Sequence, residues 1–339
     1  MSLIGLFEAR DLSKADLVLE RDGLPQDAYE SKDRSITGKA EALRTFLANL
    51  NPGPGCEVIL GPGDWHFGMA YMLMPQGVIL GGRGKGKTRL ISNQELQANF
   101  CGFELSRGLS LRKMTLKWDS RDGKTRGGQT LGIARDGLKN MPPVIATCSE
   151  LEVVSYGACA LYFWGSGSGH KCRFDDCTFS AGRWAGCIGA GSGDDSAILE
   201  FNRCQFNADF AQYGGAGGDM GTPSNTAGFV VRGGQCVMND CEVNVKGYAG
   251  NGIANDPNGP PFEYAIGVTA SSLGSPSLPK WSYAWPYLTL NRTKVTVEPN
   301  GAKRAIDVWG YNGTTKVNGG KGSNADGSFV VEGSVAIAP

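Results

Sequence analysis

The stretch Asp175-Asp176-Cys177-Thr178-Phe179 is followed along the chain by Asn202-Arg203-Cys204-Gln205-Phe206, which repeats its pattern. Each copy has two polar residues, then an apolar residue or Cys, then a polar and an apolar residue. This alternation predicts a β-strand with one buried face. Four more copies begin at Arg112, Ser149, Asn239 and Asn291, the last with Thr in third place.

The spacing of the copies is nearly regular. The third positions Leu151, Cys177 and Cys204 are separated by 26 and 27 residues, and two other intervals are 37 residues. We interpret 37 as one period plus a loop. We interpret the interval of 52 from Cys241 to Thr293 as two periods, with one copy blurred by insertions. A period of about 20–50 residues is typical of a solenoid.

The third and fifth positions are therefore expected to form two neighbouring rows inside a cylinder. The first row would contain Met114, Leu151, Cys177, Cys204, Cys241 and Thr293. The second would contain Leu116, Val153, Phe179, Phe206, Val243 and Val295.

A second type of strand follows each copy, as in Ala160–Trp164, Trp184–Ile188 and Arg304–Val308. The repeat region has no long run with helical period, and the 51 glycines suit many sharp corners. These features predict a β-solenoid whose coils stack at about 4.8 Å.

The front of the chain predicts one short helix. Thr37 is suited to the N-cap, and Asn51-Pro52-Gly53 ends the helix. Its apolar face would consist of Ala40, Leu43, Phe46, Leu47 and Leu50.

Two segments after this helix resemble a known family. They are Val58-Ile59-Leu60-Gly61-Pro62-Gly63-Asp64-Trp65 and the Gly-rich stretch from Gly77 to Ile91. Together with the helix they resemble the opening of pectate-lyase-like proteins, a superfamily that includes pectate lyases, polygalacturonases and phage tailspikes. The resemblance implies an all-β, right-handed, single-stranded parallel β-helix over residues 37–339, closed by a short N-terminal capping helix. Residues 1–36, which are charged and weakly periodic, would form an N-terminal attachment or oligomerisation segment.

The segment Gly81–Thr88 also satisfies the phosphate-binding pattern G-x-x-x-x-G-K-T. Three observations oppose a nucleotide site. Arg89-Leu90-Ile91-Ser92 alternates like a strand rather than a helix, no later strand ends in a magnesium-binding Asp, and alternating βα units are absent. We therefore expect a Gly- and Lys-rich corner between two solenoid strands.

Composition restricts the partners. Lys+Arg and Asp+Glu both number 33, so no net positive charge favours nucleic acid. No apolar run approaches the ~18 residues of a membrane span, so no membrane partner is expected. The opening Met1–Glu8 reaches an acid without a basic segment, which does not predict a secretory signal.

The ten cysteines fall mostly in the predicted interior rows. With only two histidines and no ligand pairs at zinc spacing, neither a metal site nor a cofactor is expected. Stacked free thiols are one interpretation and disulfides another. We favour thiols because side chains of in-register strands point the same way. Reduced cysteines without a signal favour assembly in a cytoplasm.

Five residues are candidates for catalysis: Asp175, Asp176, Asp194, Asp195 and His170. Paired carboxylates can act as acid and base in glycoside hydrolysis, and His can carry a proton. The alternative is that Asp beside Gly and Ser simply makes turns. The polygalacturonase motif order is not met, since Gly-His here precedes Asp-Asp. The resemblance therefore transfers no catalytic residue, and whether the protein is an enzyme stays open.

Aromatic residues are candidates for stacking on sugars, because flat rings offer apolar faces. The alternative is packing against a loop or a subunit. The candidates are Tyr162, Trp164, Trp184, Trp281 and Trp285.

Two functions follow from these features. The first is a phage virion structural protein (tailspike, head spike or capsid decoration protein). It would be a homotrimer that binds bacterial surface polysaccharide, contacts other virion proteins through its N-terminal segment and assembles in the host cytoplasm. The second is a soluble polysaccharide lyase or glycoside hydrolase of the same fold.

Overall fold

The computed structural model describes residues 17–19, 57–66, 72–73, 79–92, 101–105, 110–118, 129–133, 143–156, 159–163, 169–182, 184–188, 197–213, 227–231, 234–246, 264–269, 286–297, 304–309 and 335–338. Within them the chain forms strands joined by corners, with a single turn of helix.

The strands of the first half, in chain order, are β1 (Leu17–Leu19), β2 (Glu57–Leu60), β3 (Gly63–His66), β4 (Met72–Leu73), β5 (Ile79–Gly81), β6 (Thr88–Ser92), β7 (Cys101–Leu105), β8 (Ser110–Trp118), β9 (Gln129–Ile133), β10 (Ile145–Ser155) and β11 (Cys159–Phe163). The later elements are β12 (Lys171–Asp175), β13 (Thr178–Ala181), β14 (Trp184–Ile188), β15 (Ile198–Asn202), β16 (Gln205–Asp209), α1 (Phe210–Tyr213), β17 (Ala227–Val231), β18 (Gly234–Asn239), β19 (Glu242–Lys246), β20 (Tyr264–Thr269), β21 (Pro286–Asn291), β22 (Thr293–Val297), β23 (Arg304–Trp309) and β24 (Val335–Ala338).

These strands line three sides of a cylinder, and every described pairing is parallel. Face A contains β1, β2, β5, β12, β15, β18 and β21, and face B contains β3, β6, β13, β16, β19, β22 and β24. Face C contains β4, β7, β9, β11, β14, β17, β20 and β23. The long strands β8 and β10 belong to both A and B, because each continues through the corner between them.

The chain is therefore a parallel β-helix, which confirms the predicted fold class. Both predicted rows lie in the interior. In the second row, Val153 pairs with Leu116 and Phe179, and Phe206 pairs with Val243. All five are fully buried. Burying side chains of this size contributes about 1.5–3 kcal/mol each, so the stack stabilises neighbouring coils.

Rings reinforce this core. Phe174 stacks on Phe201 with centroids 5.2 Å apart, and Phe179 stacks on Phe206 at the same separation. Edge-to-face contacts join the two stacks, such as Phe201 to Phe206 at 5.1 Å. Such pairs add roughly 0.5–1.5 kcal/mol beyond their area burial.

One prediction about spacing was wrong. The interval of 52 residues between Cys241 and Thr293 is one coil rather than two periods, because β19 pairs directly with β22 and β18 with β21. Long insertions lengthen this coil. The intervals of 37 residues are single coils with a loop, as predicted, since Leu151 pairs with Met114 and Val243 with Phe206.

The sharp corner between faces A and B has an unusual backbone. Its residues have positive φ between 48° and 55°, a left-handed conformation that L-residues other than Asn and Asp rarely adopt. They occupy the second place of the repeated phrase in six coils. We call this row the charged corner: Lys113, Glu150, Asp176, Arg203, Asp240 and Arg292.

The third place of the phrase explains its cysteines. Cys241 Sγ donates to the carbonyl oxygens of Asn239 and Phe201 at 3.3 and 3.4 Å. Thr293 Oγ1 donates to the equivalent carbonyls of Asn291 and Met238 at 3.3 and 3.1 Å. This position therefore uses a small buried donor, which either a thiol or a hydroxyl supplies. The cysteines whose side chains are described are all free and buried, as predicted.

Two features concern the limits of the cylinder. Leu17–Leu19 pair in parallel with Val58–Leu60, so part of the predicted attachment segment adds a rung to face A. The boundary at residue 36 stays a prediction, and the predicted capping helix lies outside the described residues.

In the described part of the chain, no helix is long and apolar enough to cross a membrane.

Candidate functional site

Asp175 and Asp176 lie next to each other where β12 ends and the corner begins. The Asp175 carboxylate accepts from Arg173 Nε at 3.0 Å and from Asn202 Nδ2 at 2.9 Å. Asn202 also donates to Glu200 Oε1 at 3.0 Å. Asp175 is thus part of a hydrogen-bonded network on the outer side of face A.

Asp176 belongs to the charged corner. It accepts two hydrogen bonds of 2.8 Å from Arg203, which lower the pKa of its carboxyl below the ordinary value. Arg292 donates two hydrogen bonds to Asp240 in the same way, and these lower the pKa of the Asp240 carboxyl. Carboxyls held ionised by guanidinium groups have no proton to donate, so neither suits the role of general acid.

His170 lies inside the protein rather than beside these carboxylates on the surface. Its side chain is fully buried, and its Nδ1 accepts from the backbone N–H of Val144 at 3.0 Å. The ring also meets Phe163 edge to face at 5.6 Å. The buried ring therefore joins two neighbouring coils through this hydrogen bond.

The predicted aromatic residues divide into two groups. Tyr162 and Trp184 are 7% and 2% exposed, so both rings are buried, and their role in sugar binding stays a prediction. Tyr162 lies between the interior residues Leu161 and Phe163, and its outward position on face C is covered within the chain. Trp164, Trp281, Trp285, Asp194 and Asp195 lie outside the described residues.

Face B carries a strip of polar side chains that sequence reasoning missed. The register places Thr178, Gln205 and Glu242 in one row and Asn207 and Asn244 in the next. Asn244 Nδ2 donates to Asn207 Oδ1 at 3.0 Å, and Asn207 Nδ2 to Ser180 Oγ at 3.4 Å. We call these five exposed or half-buried residues the amide face: Thr178, Gln205, Asn207, Glu242 and Asn244.

Aromatic rings border the amide face on the side towards face C. Tyr156 follows β10, and Tyr213 lies in α1, which begins where Asp209 Oδ1 accepts from the N–H of Gln212 at 3.0 Å. The two half-buried rings have centroids 5.7 Å apart and are tilted by 55°. Lys117 Nζ lies 5.3 Å from the Tyr156 centroid, within cation–π range.

A basic loop, Arg83–Lys87, borders the amide face at its N-terminal end. Gly86 N–H donates to Thr115 Oγ1 at 2.9 Å, and Thr115 donates to Glu152 Oε2 at 2.7 Å. Thr115 and Glu152 share the row of Thr178 on face B. The loop therefore lies against the same surface as the polar strip.

The loop does not form a phosphate cradle. The N–H groups of Gly82 and Gly84 donate to the carbonyls of Arg112 and Lys113, and that of Arg83 donates to Thr88 Oγ1 at 2.9 Å. Thr88 itself begins β6 rather than a helix. The expected Gly-rich corner is what the chain forms. A Cβ on Gly82 would lie 2.5 Å from the Lys113 carbonyl, which explains one of its glycines.

These side chains can hold a polar surface ligand through amides, hydroxyls and rings. The described residues contain no group of three or more His, Cys, Asp or Glu placed to hold a metal ion. Polar residues that alternate with apolar ones along β13, β16 and β19 were the only sequence signal for the amide face. No sequence signal indicated the contact between Tyr156 and Tyr213, since 57 positions separate them.

Comparison with known proteins agrees with the fold. The chain matches no protein-family model and no curated protein. Among solved structures, it is similar to the Escherichia coli protein YbhC, with a TM-score of 0.56 and 10% identity over 96% of this chain and 85% of that one. At this identity the similarity shows a shared fold only.

Two weaker similarities are to proteins of different kinds. Pectin methylesterase PemA from Erwinia chrysanthemi aligns with a TM-score of 0.49 and 11% identity, over 96% of this chain and 90% of that one. Tailspike protein 2 of an Escherichia coli O157:H7 bacteriophage aligns with a TM-score of 0.41 and 12% identity, over 71% of this chain and 31% of that one.

Proposed function

We propose that this protein is a phage virion structural protein, of the tailspike, head-spike or capsid-decoration type, which binds bacterial surface polysaccharide on its amide face. The observation that carries the proposal is the strip of fixed amides on face B with Tyr156 and Tyr213 along one edge. The rest follows from the physical properties of this strip.

A rigid polar strip suits a repeating sugar polymer. The hydrogen bond between Asn207 and Asn244 holds both amides in place, so little rotamer entropy is lost when a glycan binds. Coils stack at about 4.8 Å, the scale of one sugar ring, so successive sugars can meet equivalent side chains. The tyrosine rings add apolar faces with a polar tip, which suit a wet interface.

The carboxylates Asp175, Asp176 and Asp240 favour binding over cleavage. Asp176 and Asp240 are each held by a guanidinium group, and Asp175 is engaged by Arg173 and Asn202. A lyase or hydrolase would need other groups, of which Asp194 and Asp195 are the candidates from the sequence. The virion role is supported by the described buried thiols, which form no disulfide and suit assembly in a reducing cytoplasm.

The test of binding uses immobilised polysaccharides from a panel of bacterial surfaces and biolayer interferometry. A double variant, Tyr156→Ala with Tyr213→Ala, and a second, Asn207→Ala with Asn244→Ala, should each weaken binding about tenfold or more. Gln235→Ala is the control, because it removes a half-buried amide from face A. Failure of every polysaccharide to bind, or an equal loss in the control, would contradict the proposal.

The virion role and the enzyme alternative need separate measurements. Antibody labelling in electron micrographs should place the protein on phage particles, and solution mass should report a trimer. Incubation with the bound polysaccharide should release neither reducing ends nor unsaturated products. A monomer that turns the polymer over, and loses this activity in Asp194→Ala with Asp195→Ala, would establish the enzyme instead.

A further inference from the structure

The basic loop is held in one conformation by its own chain. Lys87 and Thr88 donate their N–H groups to the Gly84 carbonyl at 3.1 and 3.2 Å, and Gly84 and Gly86 have φ of 132° and 72°. Lys85 Nζ reaches along the corner to the Asp176 carbonyl oxygen at 2.7 Å. The loop backbone and the Lys85 ammonium group are thus held in place, which lowers the entropic cost of holding a ligand.

Positive charge is concentrated around this loop, although the whole chain is neutral. Arg83, Lys85 and Lys87 are exposed, and Lys113 lies on the adjacent corner with half of its side chain exposed. Of the nearby acids, Asp64 is paired with Arg89, Glu57 with Arg112 and Asp176 with Arg203, and Glu152 accepts from Thr115. The ion pair of Lys113 with Glu150 is long, at 3.9 Å.

We propose that the basic loop binds an anionic group, a carboxylate or a phosphate, on the polysaccharide that occupies the amide face. This inference rests on the proposed function and names the chemical class of its ligand, an acidic glycan. A hydrogen bond of Gly86 joins the loop to Thr115 on face B. A polysaccharide that lies along the amide face therefore meets these cations at one end.

A second cation lies within the strip, because Lys117 follows Thr115 by two residues on β8 and shares the face B row of Asn207. Lys117 sits over Tyr156, and a sugar stacked on that ring places a ring substituent near its ammonium group. An acidic polymer therefore meets positive charge at two places, the basic loop and Lys117. Because the N–H groups of Arg83, Gly84, Gly86 and Lys87 are used internally, the contacts come mainly from side chains and are strongly weakened by salt.

The test uses three dextrans of equal length: unmodified, carboxymethylated and phosphorylated. Binding is measured by biolayer interferometry at about 0.05 M and about 0.5 M NaCl. Both acidic dextrans should bind more tightly than the neutral one at low salt, and the better of the two identifies carboxylate or phosphate. Arg83→Gln with Lys87→Gln should weaken acidic binding by about tenfold. The matched control, Lys171→Gln with Arg173→Gln, removes two exposed cations from face A and should change it little.

Four outcomes would overturn the inference. They are equal binding of neutral and acidic dextran, no binding of any dextran at low salt, an equal loss in the face A control, and equally tight binding of a DNA oligonucleotide of matched charge. The last outcome would mark an unspecific polyanion surface. If a neutral bacterial polysaccharide binds through Tyr156 and Asn207 while the loop variant has no effect, the proposed function stands and this inference fails. Thermal melting of each variant separates lost binding from lost folding.

Discussion

Asn239 donates from Nδ2 to Oδ1 of Asn202 across 2.8 Å, although 37 positions separate the two residues. Asn291 donates to Asn239 at 2.7 Å, and Asn202 donates to Asp175 at 2.9 Å. The ladder ends on a carboxylate that only accepts, which sets the direction of every amide in it. Aligned amides polarise one another and tie four coils together at the corner.

Asn239→Asp should weaken this ladder. The carboxylate cannot donate to Asn202 and faces its oxygen, so we expect the free energy of unfolding to fall by about 1–3 kcal/mol. Gln235→Glu adds a carboxylate at a half-buried position of face A, beside Ile198 on β15, and should cost less than about 0.5 kcal/mol. Urea titrations of both variants measure the difference. Equal stability of the two would mean that the ladder contributes nothing.

The third place of the phrase should tolerate a hydroxyl better than a methyl group. Cys241→Thr keeps a donor for the carbonyls of Asn239 and Phe201, as Thr293 does one coil later. Cys241→Val has nearly the same shape without the donor. We expect Val to be less stable than Thr by about 1 kcal/mol in chemical denaturation. A Val variant as stable as the Thr variant would show that these cysteines act only as apolar groups.

Buried thiols should make the protein sensitive to alkali. Burial raises the pKa of Cys172 to about 12 from its ordinary value of 9.0, and it also raises that of Cys148. Between pH 9 and about 12 the unfolded chain loses these protons while the folded chain retains them. The contribution of these thiols to the free energy of unfolding is therefore fully present below pH 9. It decreases as the pH rises, by up to about 1.4 kcal/mol per pH unit for each thiol.

Urea unfolding at several pH values checks this, with Cys172→Ala as the comparison. The variant starts less stable, yet its stability should fall less steeply above pH 9. Iodoacetamide at pH 8 should leave Cys148 and Cys172 unmodified until urea unfolds the chain, because thiolate is the reactive form. Rapid labelling of either residue in the folded protein would contradict their burial.

His170 should matter for stability and not for ligand chemistry. His170→Asn keeps an acceptor near the place of Nδ1, whereas His170→Phe keeps a ring against Phe163 but leaves the Val144 N–H buried without its partner. In urea titrations we expect the free energy of unfolding of the Phe variant to be about 1–3 kcal/mol lower than that of the Asn variant. Glycan binding by both variants should equal that of the parent protein. Loss of binding in a folded Asn variant would place His170 in the site after all.

Gly82→Ala should displace the basic loop. Its Cβ would lie 2.5 Å from the Lys113 carbonyl and 2.8 Å from Thr88 Cβ, both in closely packed surroundings. We expect a loss of about 1–3 kcal/mol in thermal or chemical unfolding. Arg83→Ala, on an exposed side chain of the same loop, should cost less than about 0.5 kcal/mol. Parental stability of the Gly82→Ala variant would mean that the loop can move away from the corner freely.

Much of the fold could be predicted from the repeated phrase, because apolar and polar residues alternate within each copy. Leu116, Phe179 and Val243 are apolar at intervals that only stacked coils explain, and the structure places them in one row. The interval before Thr293 was misinterpreted because a period alone cannot distinguish a missing copy from a long insertion. The direct pairing of Val243 with Val295 decides that question.

The candidate site was much less readable. Tyr162 and Trp184 look like surface aromatics because the sequence does not show what covers face C, and both are buried. Tyr156 and Tyr213 carry no special pattern, and only the winding of the chain brings their rings together. Side-chain direction at a corner depends on φ, which residue type does not reveal for Asp176 or Arg203.

The sequence by itself determined a β-solenoid with two interior rows, and it favoured free thiols over disulfides within them. It could do so because burial on a strand is a local, period-two property that repeats with every coil. Only the tertiary structure decided which polar residues share a surface. The pairing of Asn207 with Asn244, and of the basic loop with Thr115, depends on coil register and on the left-handed corner, both of which act between residues far apart in the chain.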